Sequence, residues 1–345
     1  MNKILEFIFG MGDLAWAEKK QEENIENAPD DTPKDNFYLS EVNPIKYNFR
    51  PQNLEQYIGQ ENAKDRVRIF LSKVIEMKKY AHLLIVGAAG TGKTSLAGVV
   101  ANHLGFEVIY QVGGSFTEDS LTDFMFKNAV SKTPLILFID EVHNLKKTLA
   151  ERMYLLLEDF ILVGNGMKVN IKPFVFVGAT TDFYTLLKKY KPFVDRCGGE
   201  PIYLEKYNVE DMKKILIQYN NQVYKEIIPD EIFNILSKNC RYTPRIGLAM
   251  LDDFMACKNI NRILKSRRII KDGLTSTDIK ILEHLKEMKK PVGEESLAII
   301  AQVTKQDYKL WFELFLLTEN LISRLSGGRA LTPKGDALLR SLDEQ

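Results

Sequence analysis

Cysteine is scarce in this 345-residue chain: Cys197, Cys240 and Cys257 are an odd number, at spacings that suit neither a disulfide framework nor a zinc site. They read as reduced, partly buried thiols of a cytosolic protein. Long apolar runs are lacking too. The first seventeen residues, MNKILEFIFGMGDLAWA, are interrupted by Glu6 and Asp13, too short and polar to span a membrane, and without a convincing cleavage site. Net charge is also small: 47 Lys and Arg against 46 Asp and Glu leave +1, so no domain is strongly basic and any nucleic-acid contact has to be local.

That balance hides an uneven distribution, because residues 1–49 carry 5 Lys or Arg against 10 Asp or Glu. Residues 1–17 read either as a small amphipathic helix or as a frayed terminus. From Glu18 to Asn36 the chain is acidic, polar and broken by Pro29 and Pro33, the composition of a disordered linker. Beyond it, a hydrophobic content of 45% over this length is enough for two or three cored domains.

The stretch around which the rest is organised is HLLIVGAAGTGKTSL, His82 to Leu96. Leu83 to Val86 form a buried-strand run, and helical spacing resumes after Thr94. Between them Gly87 to Thr94 match G-x-x-x-x-G-K-[ST], in which Gly90, Gly92 and the backbone N–H groups through Ser95 cradle a polyphosphate at a helix N-terminus. Lys93 neutralises the β and γ phosphates of ATP, and the Thr94 hydroxyl holds Mg2+. Further on, five apolar residues, Leu135 to Ile139, end in Asp140-Glu141. A central parallel strand of this kind delivers two carboxylates beside the phosphate loop: Asp140 for the metal, Glu141 as general base toward water.

Three further strings carry a family resemblance. Arg50-Pro51-x-x-Leu54-x-x-Tyr57-Ile58-Gly59-Gln60, then Gly178-Ala179-Thr180-Thr181, then Thr243-Pro244-Arg245-Ile246 stand in the order found in AAA+ ATPases, and their spelling resembles the RuvB-type Holliday junction branch-migration ATPases. The resemblance runs from about Phe49 to Leu339. Behind a 1–40 tail that is unusual for the family, it implies an α/β fold: an AAA+ P-loop parallel-sheet domain over 41–207, a helical lid over 208–272, and a C-terminal winged helix over 273–345. It further implies that Phe49, Arg50, Tyr57, Ile58, Tyr207 and Pro244 face the adenine, that Thr181 senses the γ-phosphate, and that Arg245 closes on it from the lid. Arg196 falls on the arginine finger that serves a neighbouring subunit, although Val194 and Cys197 stand where the family has arginine and phenylalanine.

The last unit has its own sequence signals. Thr275 and Asp278 are spaced as a capping box, two more helices follow, and Leu321–Leu325 and Ala330–Thr332 flank Ser326-Gly327-Gly328-Arg329, describing a winged helix-turn-helix. The resemblance places Arg324 and Arg329 on DNA. With 11 basic and 12 acidic residues over 271–345, the electrostatic pull on DNA is weak. The basic run Lys258 to Lys271 reads as a solvated helix face, with contact to a DNA backbone as the lesser alternative. Only twelve residues join Glu158-Asp159-Phe160 to Pro173, a short version of the hairpin with which the family grips its RuvA partner. The implied function is a cytoplasmic, ring-forming, hexameric ATP hydrolase of helicase type, acting on branched or duplex DNA in recombination and repair, with ATP and Mg2+. The alternative is a protein-assembly or loading switch that uses a partner other than RuvA.

Overall fold

The computed structural model describes residues 50–164 and 167–343; the tail reading for 1–40 and the adenine-facing assignment of Phe49 lie outside the described residues. Two compact units emerge, dividing at Tyr207/Asn208, with the short piece Gln222–Tyr224 belonging to the first.

The first unit opens with α1 (Glu61–Ile75), whose Ala63, Val67, Phe70, Leu71 and Val74 form one buried stripe. Its sheet strands are β1 (Leu83–Val86), β2 (Glu107–Val112), β3 (Leu135–Asp140), β6 (Val175–Thr180) and β7 (Ile202–Tyr203), all parallel, in the order β2-β3-β6-β1-β7. The central strands are apolar throughout because helices cover both faces. Period-two alternation then sorts the side chains. Leu84, Leu135, Leu137, Ile139 and Phe176 join one core, with α3 (Glu118–Val130), α4 (Lys147–Glu158) and α5 (Phe183–Arg196). Leu83, Ile85, Ile136, Phe138, Val175 and Val177 join the other, with α1 and α2 (Lys93–Leu104). A small antiparallel hairpin, β4 (Ile161–Gly164) with β5 (Met167–Asn170), leaves the end of α4. α5 is kinked at Tyr190, two residues before Pro192, whose ring and missing N–H interrupt the helix.

The second unit begins with four helices, α6 (Val209–Gln222), α7 (Asp230–Asn239), α8 (Pro244–Cys257) and α9 (Ile260–Ser266). The wholly helical lid expected from the sequence is corrected at its end, where β8 (Ile269–Lys271) pairs with β9 (Leu274–Thr275) across a bulge. The basic run is therefore spread over α9 and β8, and Arg267 pairs with Asp253 at 2.6 Å. After β9 come α10 (Ser276–Met288), α11 (Glu294–Ala301), and α12 (Lys305–Asp307), which passes through a π-helical stretch (Tyr308–Glu313) into α13 (Leu314–Thr318). The Thr275/Asp278 capping box is formed at the head of α10. The wing is β10 (Ile322–Leu325) against β11 (Gly328–Leu331), tighter than the sequence suggests, and an unanticipated α14 (Pro333–Asp343) closes the unit through Leu339.

Candidate ATPase site

The strand order sets the site. β3, β6 and β1 are neighbours, so the loops after Asp140, Thr180 and Val86 lie along one carboxyl edge of the sheet. After β1, Gly92 takes φ 102° and α2 starts without a side-chain cap, which leaves the first N–H groups of the helix facing the loop. A Cβ on Gly92 would lie 2.8 Å from the Tyr57 hydroxyl, so glycine is required both by conformation and by space. Lys93 is buried, and its Nζ donates to the carbonyls of Gly87 (2.8 Å) and Ala88 (3.1 Å). Thr94 and Ser95 are half-buried in the first turn of α2.

Tyr57 ties the sequence-predicted adenine segment to this loop, because its hydroxyl donates to the Gly92 carbonyl at 3.2 Å. Tyr57 and Tyr207 are both buried and hydrogen-bond to each other; burial first, then Tyr207, holds the Tyr57 phenol well above its ordinary pKa. Gln60, which carried no role in the sequence reading, clamps the two segments, donating to the Glu205 carbonyl (2.7 Å) and accepting from the Glu205 N–H (2.8 Å). Ile58 is half-buried, and Arg50 lies over the Tyr110 ring at 6.0 Å.

Asp140 and Glu141 diverge immediately after β3. Glu141 has φ 47°, a left-handed backbone that is costly for a non-glycine residue and is concentrated at functional positions. Its carbonyl presses on Gly113, where an added Cβ would lie 2.4 Å away. The carboxylate then accepts from two donors, Thr181 Oγ1 (2.9 Å) and Thr181 N–H (3.2 Å), and His143 Nδ1 lies 3.2 Å from it. His143 Nδ1 also lies 2.8 Å from the Thr180 hydroxyl. His143 was visible in the Asp-Glu-Val-His string, but only the turn Val142–Asn144 brings it back over Glu141. Asp140 Oδ1 accepts from the Glu141 N–H at 2.9 Å, and among the described residues nothing donates to its other oxygen.

Arg196 is not among these groups. It ends α5, where it pairs with Glu158 of α4 at 2.6 Å, donates to the Pro192 carbonyl at 2.9 Å and lies over the Tyr154 ring at 5.2 Å. Its side chain keeps 25% exposure, and its Nε is buried without an acceptor. The neighbouring departures from the family spelling have a packing reason: Val194 and Cys197 both point into the core, and burial pushes the Cys197 thiol pKa up, which makes it unreactive.

Two domain models match the chain, that of the Holliday junction DNA helicase RuvB P-loop domain over residues 49–200 and that of the RuvB C-terminal winged helix domain over 271–340. The RuvB subunit of the Holliday junction branch migration complex from Mycoplasmopsis pulmonis is 30% identical over 321 residues, covering 86% of this chain and 99% of that protein. The chain belongs to the RuvB family. Its counterpart from Ehrlichia chaffeensis is 31% identical over 312 residues, covering 84% of this chain and 93% of that protein. The solved structure of the Thermotoga maritima RuvB branch migration motor superposes with a TM-score of 0.66 at 27% identity, covering 84% of this chain and 98% of that one. Aeropyrum pernix ORC2, at 14% identity and a TM-score of 0.51, shares the fold alone. As a RuvB-family member the chain is an AAA+ ATPase with a nucleotide-binding P-loop.

The remaining predicted residues of this RuvB-family chain lie in the second unit. Pro244 opens α8 and Arg245 follows it, exposed to solvent. On the wing, Arg324 and Arg329 are direct cross-strand partners, an arrangement that repels unless a counter-charge intervenes. Glu313 supplies it: its fully buried carboxylate accepts from both Nε atoms at 2.8 Å. Arg329 gives another bond to Glu294 at 2.9 Å and is only 14% exposed, whereas Arg324 is 63% exposed. Among the described residues no helix is long and apolar enough to cross a membrane.

Proposed function

We propose that the chain is a RuvB-type motor: an ATP-driven ring, hexameric by family analogy, that migrates branched duplex DNA, with 208–272 as its lid and 273–345 as its DNA-contacting winged helix. The observation that carries this is the incomplete hydrolytic centre. Lys93, Asp140, Glu141 and Thr181 stand along one sheet edge, while Arg196 bonds to Glu158 and the Pro192 carbonyl elsewhere in the same unit.

The donor set fits ATP and Mg2+. The carbonyl-held ammonium of Lys93 is replaceable by phosphate oxygens, the uncapped start of α2 offers N–H groups, and Thr94 with the unpaired oxygen of Asp140 suits a hard cation. Mg2+ would supply charge neutralisation on the β and γ phosphates. Glu141 takes the proton of the attacking water, and its grip on Thr181 and His143 keeps it turned aside until the γ-phosphate competes for Thr181.

Arg196 then comes from the neighbouring subunit. Its own ion pair with Glu158, itself 51% exposed, is of the surface class worth about 0–1 kcal/mol. A finger that stabilises the transition state changes the rate by on the order of 10³, or about 4 kcal/mol of barrier, so giving up this weak pair on ring closure subtracts little from that gain. Arg245 reports nucleotide from the lid and Arg324 leads the DNA contact. The short β4–β5 hairpin offers a RuvA-like partner a reduced grip. A protein-assembly switch is not favoured, since the winged helix is matched and the branch-migration relative is matched over 99% of its length.

The test compares wild type with Glu141→Gln for ATP turnover and particle size, with and without a four-way junction. Glu141→Gln should bind ATP, accumulate as rings and lose turnover by on the order of 10³. A wild type whose turnover ignores the junction contradicts the DNA-motor reading.

A further inference from the structure

The segment that carries Arg245 has a second arginine with a different set of partners. Arg241, four residues earlier, inserts its guanidinium into the winged helix. Nε donates to the Gly273 carbonyl at 2.9 Å, one terminal nitrogen donates to the Trp311 carbonyl, the other pairs with the Asp278 carboxylate, and the plane lies over the Phe315 ring at 4.4 Å. Each partner belongs to a different piece of the winged-helix half: the β8–β9 turn, the π-helical stretch, the head of α10, and α13. Asp278 is fully buried and is itself fixed by the Thr275 N–H (2.7 Å) and hydroxyl, so the ion pair is anchored to the cap of α10.

The backbone on the lid side is equally specific. Arg241 and Tyr242 both adopt left-handed φ, 51° and 57°, which consecutive non-glycine residues hold only when their surroundings enforce it. The Thr243 hydroxyl donates to the Arg241 carbonyl at 3.1 Å, Tyr242 packs on the winged-helix core, and α8 begins one residue later with Pro244 and Arg245. The polar contacts of Arg241 therefore fix the entry of the helix that carries Arg245.

We propose that Arg241 is the positioning residue that couples nucleotide state to DNA movement: it locks the start of α8 to the winged helix, so that a shift of Arg245 moves the DNA-contacting domain with it. This rests on the motor reading above, in which Arg245 answers to ATP. A planar five-donor fork over an aromatic ring is needed for this set of contacts, and lysine cannot reproduce it.

The experiment uses the full chain with Arg241→Lys and Arg241→Ala, measuring junctions migrated per ATP hydrolysed. The expected result is a fall in that ratio on the order of tenfold for Arg241→Lys, the size of a typical coupling between two sites. A loss of stability alone lowers turnover and migration together and leaves the ratio where it was. If Arg241→Ala does not fold, Arg241→Lys decides. An unchanged ratio in a wild type that is itself junction-stimulated overturns this inference and spares the motor. A wild type with no junction response overturns both.

Discussion

The carboxyl edge of the sheet and the wing were each read from a few charged residues, yet they hold their charges differently. At the edge, Glu141, His143 and Thr181 form a small cluster, with Lys93 and Asp140 on the same sheet edge. At the wing, Glu313 absorbs the donors of both arginines and Glu294 takes another from Arg329. In the first case the charges are held toward one another at an open strand edge. In the second most of the positive charge is spent on the fold, and Arg324 is the one of the pair that stays exposed.

Acid should separate the two units most. His82, in the first, accepts from the Phe176 N–H at Nδ1 (3.1 Å), so its proton is on Nε2, which donates to the Leu157 carbonyl at 2.7 Å. Burial lowers its pKa to about 4, against the pull of the Leu157 bond in the other direction. The unfolded chain binds the proton below about 6.5 and the folded chain does not, so stability is lost as pH falls from there toward 4, by roughly 3 kcal/mol in total. Chemical denaturation between pH 7 and 4 should show this loss in the first unit's transition, and His82→Gln should flatten it. An unchanged slope in that variant removes His82 as the cause.

The wing pair gives the smaller effect and sharpens the contrast. Arg329→Ala leaves Glu313 buried with one exposed partner and should destabilise the winged helix by about 2–3 kcal/mol. Arg324→Ala should cost at most about 1 kcal/mol of stability while lowering the salt dependence of DNA binding by about one phosphate contact. Thermal unfolding and salt titrations of junction binding measure the two. If Arg329→Ala weakens DNA binding at unchanged stability, the assignment is reversed.

These residues also show what a sequence conveys. The phosphate loop, the Asp-Glu strand end and the Thr275/Asp278 cap are local strings whose chemistry depends on near neighbours, and they were legible. The partners of Arg196, Arg329 and Glu141 were not, since Glu158, Glu294 and Thr181 lie 38, 35 and 40 positions away and meet them only through packing. The β8–β9 hairpin escaped for another reason: three residues inside a basic run carry too little periodicity to register.

The central claim is that hydrolysis needs two subunits. Arg196→Ala and Glu141→Gln, each alone, should lose ATP turnover by on the order of 10³. Mixed in equal amounts, they should regain a substantial fraction, because at half of the mixed interfaces an intact Glu141 meets an intact Arg196. Full turnover by Arg196→Ala on its own, or a mixture of co-assembled rings as inactive as its parts, would contradict the account.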